Sequence, residues 1–135
     1  MPGYSGTPLP KKLGIKAGFR VHFVNDPPDV RTGLRAALKS CEPVPDGKAP
    51  LDFAMAFSRS RAELSRQFAR LANALTPAGM LWVSWPKKSS GVATDLDENV
   101  VREIGLAAGL VDVKVCAVTD VWSGLKFVRR VKDRK

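Results

Sequence analysis

The sequence predicts one α/β domain with three layers: a mostly parallel sheet of about five strands between helices on both faces. Three observations indicate this class. Apolar runs of strand length alternate with amphipathic helices, which is typical of parallel sheets with helical crossovers. Two β-rich runs close the chain and predict an antiparallel hairpin at one edge. The 135 residues, 44% of them hydrophobic and 26% charged, suit one folded globular domain with its own core.

Three segments are expected along the chain. Residues 1–18 form an N-terminal arm and a short helix, because Thr7 can cap a helix with Pro8 in its first turn. Residues 19–131 form the α/β domain and residues 132–135 a basic tail. Strand one covers residues 19–24 and ends before Pro27 and Pro28, because proline cannot continue a ladder.

The next elements follow from periodicity and capping. Asp29 predicts a helix start, with the helix running to about Lys39, and the proline-rich stretch 41–50 predicts a loop before a buried strand at 51–57. Ser60 and Glu63 have capping-box spacing. The helix that they begin carries one apolar face at helical intervals, formed by Leu64, Phe68, Leu71 and Leu75.

The second half of the chain repeats this alternation. A strand is predicted at 81–85, a third helix begins after the capping pattern of Asp95 and Glu98, and Gly109 ends it. The runs 111–118 and 121–131 are separated by Thr119 and Asp120 alone, which predicts the hairpin.

Several of these runs resemble Rossmann-like methyltransferases. The resemblance rests on the lead-in at 13–21, on the strand 51–57 opened by Asp52, and on residues 76–80 leading into the strand 81–85. It implies a Rossmann-like fold whose cofactor turn, rich in glycine, follows strand one. Here that turn reads Val24-Asn25-Asp26-Pro27-Pro28. Only about 26 residues separate strand one from Leu51, which suits a single crossover and predicts a truncated fold that lacks two strands.

The truncation has a consequence for chemistry. In the methyltransferases that the chain resembles, an acidic residue at the end of the second strand holds the cofactor ribose, and this contact is expected to be lost together with the glycine turn. Methyl transfer from S-adenosylmethionine is therefore not expected, and no cofactor is predicted. A second resemblance is to a family of small bacterial proteins known as a domain of unknown function; it rests on residues 3–9, 11–16, 85–96 and 122–126. This second resemblance gives no activity that could be predicted for the chain.

The loop after the strand 81–85 is the strongest candidate for a ligand site. Ligands of open α/β sheets sit beyond the carboxyl ends of the strands, and charges, hydroxyls and a flexible glycine suit an anion or phosphate there. A solvated loop rich in turn formers explains the same composition and is slightly favoured over an anion site. The candidate residues are Lys87, Lys88, Ser89, Ser90, Gly91, Thr94 and Trp85, joined by Asn25, Arg59 and Trp122 from other loops.

Catalytic and metal-binding residues are not evident. His22 lies within strand one, away from any loop, and Cys41 and Cys116 have neither metal-ligand spacing nor an activating partner. We therefore expect a cytoplasmic protein with no metal, no disulfide and no membrane segment. The resemblance to the small bacterial family implies a bacterial source. The exposed hairpin edge allows a homodimer.

The charge leaves a second function open. The chain carries 22 Lys and Arg against 13 Asp and Glu, a net charge of +9, and residues 129–135 hold five basic residues against Asp133. The leading expectation is a non-catalytic protein that binds a small anion or a protein partner at the strand ends. The alternatives are a nucleic-acid-associated protein that uses its basic tail, and a reduced methyltransferase-like enzyme that uses Asn25, Asp26 or Asp52.

Overall fold

A six-stranded mixed sheet lies at the centre of the computed structural model, which describes residues 7–48 and 50–134. In these residues the strands are β1 (Arg20–Val24), β2 (Glu42–Pro43), β3 (Leu51–Phe57), β4 (Leu75–Pro86), β5 (Leu110–Ala117) and β6 (Trp122–Arg129). The helices are α1 (Leu9–Leu13), α2 (Pro28–Leu38), α3 (Arg61–Ala74) and α4 (Glu98–Ala107), with short 3₁₀ turns at Lys88–Ser90 and Val131–Asp133. The predicted α/β class is confirmed.

The strand order is β2-β1-β3-β4-β6-β5. Strands β2, β1, β3 and β4 pair in parallel, whereas β6 runs antiparallel to both β4 and β5. The predicted mostly parallel sheet with a terminal antiparallel hairpin is therefore confirmed. Connections leave β1 toward one edge and then return to its other side, so the order reverses beside β1. Ligands of such sheets bind at this switch point.

The predicted loop at 41–50 contains the additional strand. Glu42 and Pro43 pair with Arg20 and Val21 of β1, and the main-chain N–H of Val44 donates to the carbonyl of Val21 at 2.8 Å. Proline is tolerated there because β2 is an edge strand. The sheet thus has six strands instead of about five.

The sheet is covered on both faces. Helices α3 and α4 pack on one face, where Leu64, Phe68, Leu71 and Leu75 are buried as their spacing predicts. Helices α1 and α2 pack on the other face through Leu13, Val30 and Leu34 against Phe53, Met55 and Trp82 of the sheet. These three layers match the expected Rossmann-like arrangement.

Helix starts agree with prediction in one case and differ in three. Helix α1 begins at Leu9 with Pro8, not Thr7, at its cap. Ser60 caps α3 by accepting a hydrogen bond from the N–H of Glu63 at 3.3 Å, as predicted. Asp97, not Asp95, caps α4, because its Oδ1 accepts from the N–H of Val100 at 2.8 Å. Helix α2 begins after Pro27, with Asp29 in its first turn and not at its cap.

The chain ends were predicted as an arm and a basic tail. Residues 1–6 of the arm, and with them most of the motif 3–9, lie outside the described residues, as does Lys135 of the tail. The rest of the tail begins with a 3₁₀ turn, and the Nε of Arg134 donates to the carbonyl of Arg129 at 3.1 Å. No helix of the described part is long and apolar enough to cross a membrane.

Candidate functional site

A cavity of about 530 Å³ lies at the carboxyl ends of β1 and β3, where the strand order reverses. The first turn of α3 and the start of β6 complete its wall. This is the position at which open α/β sheets bind their ligands. The lining residues are Asn25, Phe57, Ser58, Arg59, Ser60, Glu63 and Trp122.

Asn25 makes the turn that leaves β1 and enters the cavity wall. Its φ is 57°, in the left-handed region that most residues avoid and that asparagine tolerates. The backbone therefore has the left-handed conformation that glycine usually provides, although the residue here is asparagine. Its side-chain Nδ2 donates to Oε1 of Glu63 at 3.4 Å, which ties the end of β1 to the start of α3.

A buried hydroxyl extends this connection. Ser58 is 2% exposed, and its Oγ lies 3.1 Å from the carbonyl of Ser60 and 3.4 Å from Oε1 of Glu63. The same Oγ accepts from the N–H of Ser60 at 3.2 Å. The Glu63 carboxylate thus accepts from Asn25 at the end of β1 and lies beside the Ser58 hydroxyl at the end of β3.

Glu63 is a site residue that sequence reasoning assigned only to helix capping. Its capping-box spacing placed it in the first turn of α3, but the spacing gives no information about the strand that this turn approaches. The partner, Asn25, is 38 residues away in the chain. No local signal connects the two, since their proximity depends on β1 lying beside β3.

Aromatic rings form the apolar wall of the cavity. Trp122 meets Phe57 edge to face, with ring centroids 5.2 Å apart and an interplanar angle of 86°. Trp122 lies at the start of β6, opposite Pro86 of β4. Trp122 therefore packs within the hairpin and also borders the cavity.

The predicted ligand residues divide into two groups. Asn25, Arg59 and Trp122 meet in the cavity. Trp85 is 5% exposed and lies in the core between the sheet and α3, so it does not wall the cavity. The remaining candidates do not line the cavity either: Lys87, Lys88, Ser89, Ser90, Gly91 and Thr94.

Local hydrogen bonds explain where the Lys87 loop goes. The N–H of Lys87 donates to the carbonyl of Val121 at 2.8 Å, and Ser90 Oγ donates back to the carbonyl of Lys87 at 2.6 Å. Thr94 Oγ1 donates to the carbonyl of Arg59 at 2.7 Å. The hydroxyls of Ser90 and Thr94 thus serve the fold of the loop, and the expected convergence of Lys87 and Lys88 with Arg59 is not found.

The second strand contributes no carboxylate to the cavity. Strand β2 ends opposite Val21, well before β1 ends, and Glu42 at its start lies 3.7 Å from Arg20. Asp46, which follows β2, accepts from the N–H of Lys48. Glu63 of α3 is the carboxylate of the cavity lining instead.

His22 and the two cysteines are placed as structural residues. His22 Nδ1 lies 2.8 Å from the carbonyl of Val44, beside the turn at Gly47. Burial raises the pKa of the Cys41 and Cys116 thiols, although nearby Lys12 and Lys114 lower that of Cys116 in smaller part. Neither thiol is an activated nucleophile.

Solved structures similar to this fold include methyltransferases. Magnesium protoporphyrin IX methyltransferase from Synechocystis PCC 6803, with bound SAM, is similar with a TM-score of 0.59 and 12% identity over 90% of this chain and 74% of that chain. A Burkholderia thailandensis N1-methyltransferase for 1,6-didemethyltoxoflavin, with bound S-adenosylhomocysteine, has a TM-score of 0.59 and 15% identity over the same shares. The Methanococcus jannaschii fibrillarin pre-rRNA processing protein is similar with a TM-score of 0.56 and 12% identity, over 96% of this chain and 76% of that chain.

These similarities establish a methyltransferase-like fold for this chain. They contradict the expectation of a non-catalytic protein that binds a small anion or a partner, and they favour the alternative of a reduced methyltransferase-like enzyme. No protein-family model and no curated sequence matches the chain, so membership of the small bacterial family stays a prediction.

Proposed function

We propose that the cavity at the switch point binds S-adenosylmethionine and that the protein is a methyltransferase-like enzyme. The observation that carries this proposal is the composition of the cavity at the end of β1, which combines one carboxylate, one guanidinium, an amide and two aromatic rings. S-adenosylmethionine presents the complementary groups: an ammonium, a carboxylate, hydroxyls and a planar adenine. A volume of about 530 Å³ is within the usual range for a ligand of this size.

Each wall residue has a role that follows from its chemistry. Glu63 would hold the ammonium group, because its carboxylate accepts from Asn25 and lies beside Ser58 in the cavity wall. Arg59, which is exposed at the rim, would hold the carboxylate of the methionine part. Trp122 and Phe57 would contact the apolar surface and exclude water. When bound, the cofactor supplies an activated methyl group for a nucleophile of the substrate.

The absence of glycine after β1 is compatible with this proposal. Glycine is common at such turns because it reaches positive φ and lets the backbone approach a ligand closely. Asn25 already has positive φ, so the turn forms. Its side chain occupies space that glycine would leave open, but it uses that space to position Glu63.

The test is a titration of the purified protein with S-adenosylmethionine and S-adenosylhomocysteine by calorimetry, supported by thermal unfolding. Binding is expected to raise the melting temperature, because a ligand at 100 times its Kd adds about 2.7 kcal/mol to the free energy of unfolding. Glu63→Gln keeps the shape of the side chain but removes its charge, and a loss of about tenfold or more in affinity is expected.

Glu103→Gln is the matched control. It makes the same change on α4, in a separate groove between α3 and α4. It should leave the affinity unchanged. Failure of the wild-type protein to bind either compound, or an equal loss in both variants, would contradict the proposed site.

A further inference from the structure

Five lysines gather on the face of the β5–β6 hairpin that α4 does not cover. We call them the lysine patch: Lys11, Lys12, Lys16, Lys114 and Lys126. Lys11 and Lys12 belong to α1 and Lys16 follows it, whereas Lys114 and Lys126 belong to β5 and β6. Lys11, Lys12 and Lys114 border one shallow depression of about 490 Å³. Three separate segments of the chain thus bring positive charge to one surface.

The centre of the patch is a like-charge pair. Lys114 and Lys126 are direct cross-strand partners in the β5–β6 ladder. Like charges in this position destabilise a sheet. Burial lowers the pKa of Lys126, and the neighbouring charges of Lys114 and Lys16 lower it further. The fold therefore keeps these charges together at a cost to its own stability.

Ion pairs of the described residues do not offset this charge. Within residues 7–48 and 50–134, none of the five lysines forms an ion pair. The polar contacts of two of them are to carbonyls: Lys12 Nζ donates to Ala117 at 3.0 Å and Lys114 Nζ to Lys12 at 3.1 Å. These bonds hold the ammonium groups in place but do not neutralise them, so the patch remains available to an anion.

The patch extends to the end of the sheet at which the cavity lies. The carbonyl that Lys12 contacts belongs to Ala117, the last residue of β5. Ala117 pairs with Ser123, the neighbour of Trp122 in the cavity wall. An extended ligand on the patch can therefore continue toward the switch point.

We propose that the lysine patch binds the phosphate backbone of single-stranded nucleic acid and directs it toward the switch-point cavity. Positive charges on three segments match a repeating line of phosphates better than one small anion, which would need an enclosed site. Trp122, at the end of this path, is half-buried and offers an aromatic ring on which a base can stack. Binding to the patch does not depend on the proposed function. The direction toward the cavity rests on it, and it makes single-stranded nucleic acid the substrate class of the proposed enzyme.

Fluorescence anisotropy with a labelled single-stranded RNA, and with DNA of the same sequence, tests the binding step over a series of salt concentrations. Affinity is expected to fall steeply with salt, and the RNA and DNA arms identify the preferred backbone. The double variant Lys114→Gln and Lys126→Gln should weaken binding about tenfold and reduce the salt slope by about 1.4, since single strands contribute roughly 0.7 per phosphate contact. Its circular dichroism spectrum and melting curve confirm that it folds.

Two double variants serve as controls with the same loss of charge. Arg35→Gln with Arg66→Gln removes charge from the exposed surfaces of α2 and α3, and Lys132→Gln with Arg134→Gln removes it from the tail. Both should retain most of the affinity. Salt-independent or absent binding, or an equal loss in either control, would overturn the proposal.

The same variants separate this proposal from the proposed function. The patch variant should bind S-adenosylhomocysteine like the wild-type protein, because neither Lys114 nor Lys126 lines the cavity. Loss of oligonucleotide binding alone in the patch variant supports the patch. If the wild-type protein binds S-adenosylhomocysteine but no oligonucleotide, the patch proposal fails and the cofactor proposal stands.

Discussion

The two faces of the β5–β6 hairpin have opposite characters, since one is buried under α4 and the other carries lysines. On one face Phe127 is fully buried under Gly105 of α4 and meets Phe68 edge to face at 5.2 Å. On the other face, the next residue, Lys126, lies beside Lys114 with no acidic partner in the described chain. The alternation of a strand places a core residue and a charged residue in adjacent positions.

The helices explain this difference. Helix α4 has ten residues and lies across the hairpin. Helix α1 has five, and its last residue, Leu13, is anchored at β4 by the indole N–H of Trp82 at 2.9 Å. A helix this short leaves the outer part of its sheet face open. The covered face therefore supports the fold, whereas the described residues leave part of the other face exposed to solvent.

The largest effect is expected from Gly105→Ala on the covered face. A Cβ at this position would overlap the ring of Phe127, with Cδ1 only 2.6 Å away, and the buried ring has no room to move. We expect the free energy of unfolding to fall by about 3 kcal/mol, measured by urea denaturation. Gly33→Ala in α2 is the matched control, because its nearest neighbour is Leu9 Cδ2 at 3.9 Å. It should stabilise by up to about 1 kcal/mol, and similar losses in both variants would contradict the close packing of α4.

A smaller effect is expected from Gly124→Ala, at the boundary between the packed and open parts of the same strand. Its Cβ would lie 2.9 Å from Cγ2 of Val118 and 3.1 Å from the ring of Trp82. Because Trp82 is buried, we expect a loss of about 1 to 2 kcal/mol by the same measurement. An unchanged free energy of unfolding would contradict the close packing of Gly124 against Val118 and Trp82.

The smallest effect, and one of opposite sign, is expected from Lys114→Gln on the open face. Removing one charge of the cross-strand pair with Lys126 should raise stability by about 0.5 kcal/mol at low ionic strength. Salt should remove most of this gain, because exposed charges are screened. Thermal unfolding at low and high salt measures both, and a loss of stability that salt does not change would contradict the repulsion between the two lysines.

Much of the fold could be predicted because its signals are local. The strand at 51–57 was predicted with the bounds that the structure has, and the face from Leu64 to Leu75 is buried as its spacing indicates. The N-cap at Ser60 was read correctly from a three-residue spacing. The cap of α4 was predicted wrongly, because Asp95 and Asp97 both suit an N-cap. Asp95 instead accepts a hydrogen bond from the N–H of Arg61, 34 residues away. Strand β2 was missed because it is defined by pairing alone.

The candidate site was only partly predicted. Asn25, Arg59 and Trp122 were expected at strand ends and do meet in the cavity. The Lys87 loop was weighted by its composition, but composition does not show that Ser90 and Thr94 bond to nearby carbonyls. The turn after β1 contains no glycine, as the sequence shows, but the sequence did not indicate that Asn25 adopts a positive φ there.

By itself, the sequence determined the α/β class, the alternation of helices and strands, and the charge of the chain, since periodicity and capping act over a few residues. The tertiary structure alone decided which loops meet. Glu63 joins Asn25 because β3 lies beside β1, and Lys114 faces Lys126 because β5 pairs with β6 in one register. Both contacts depend on strand order and register, which arise from burying the whole sheet between its helices and are not encoded in any one segment.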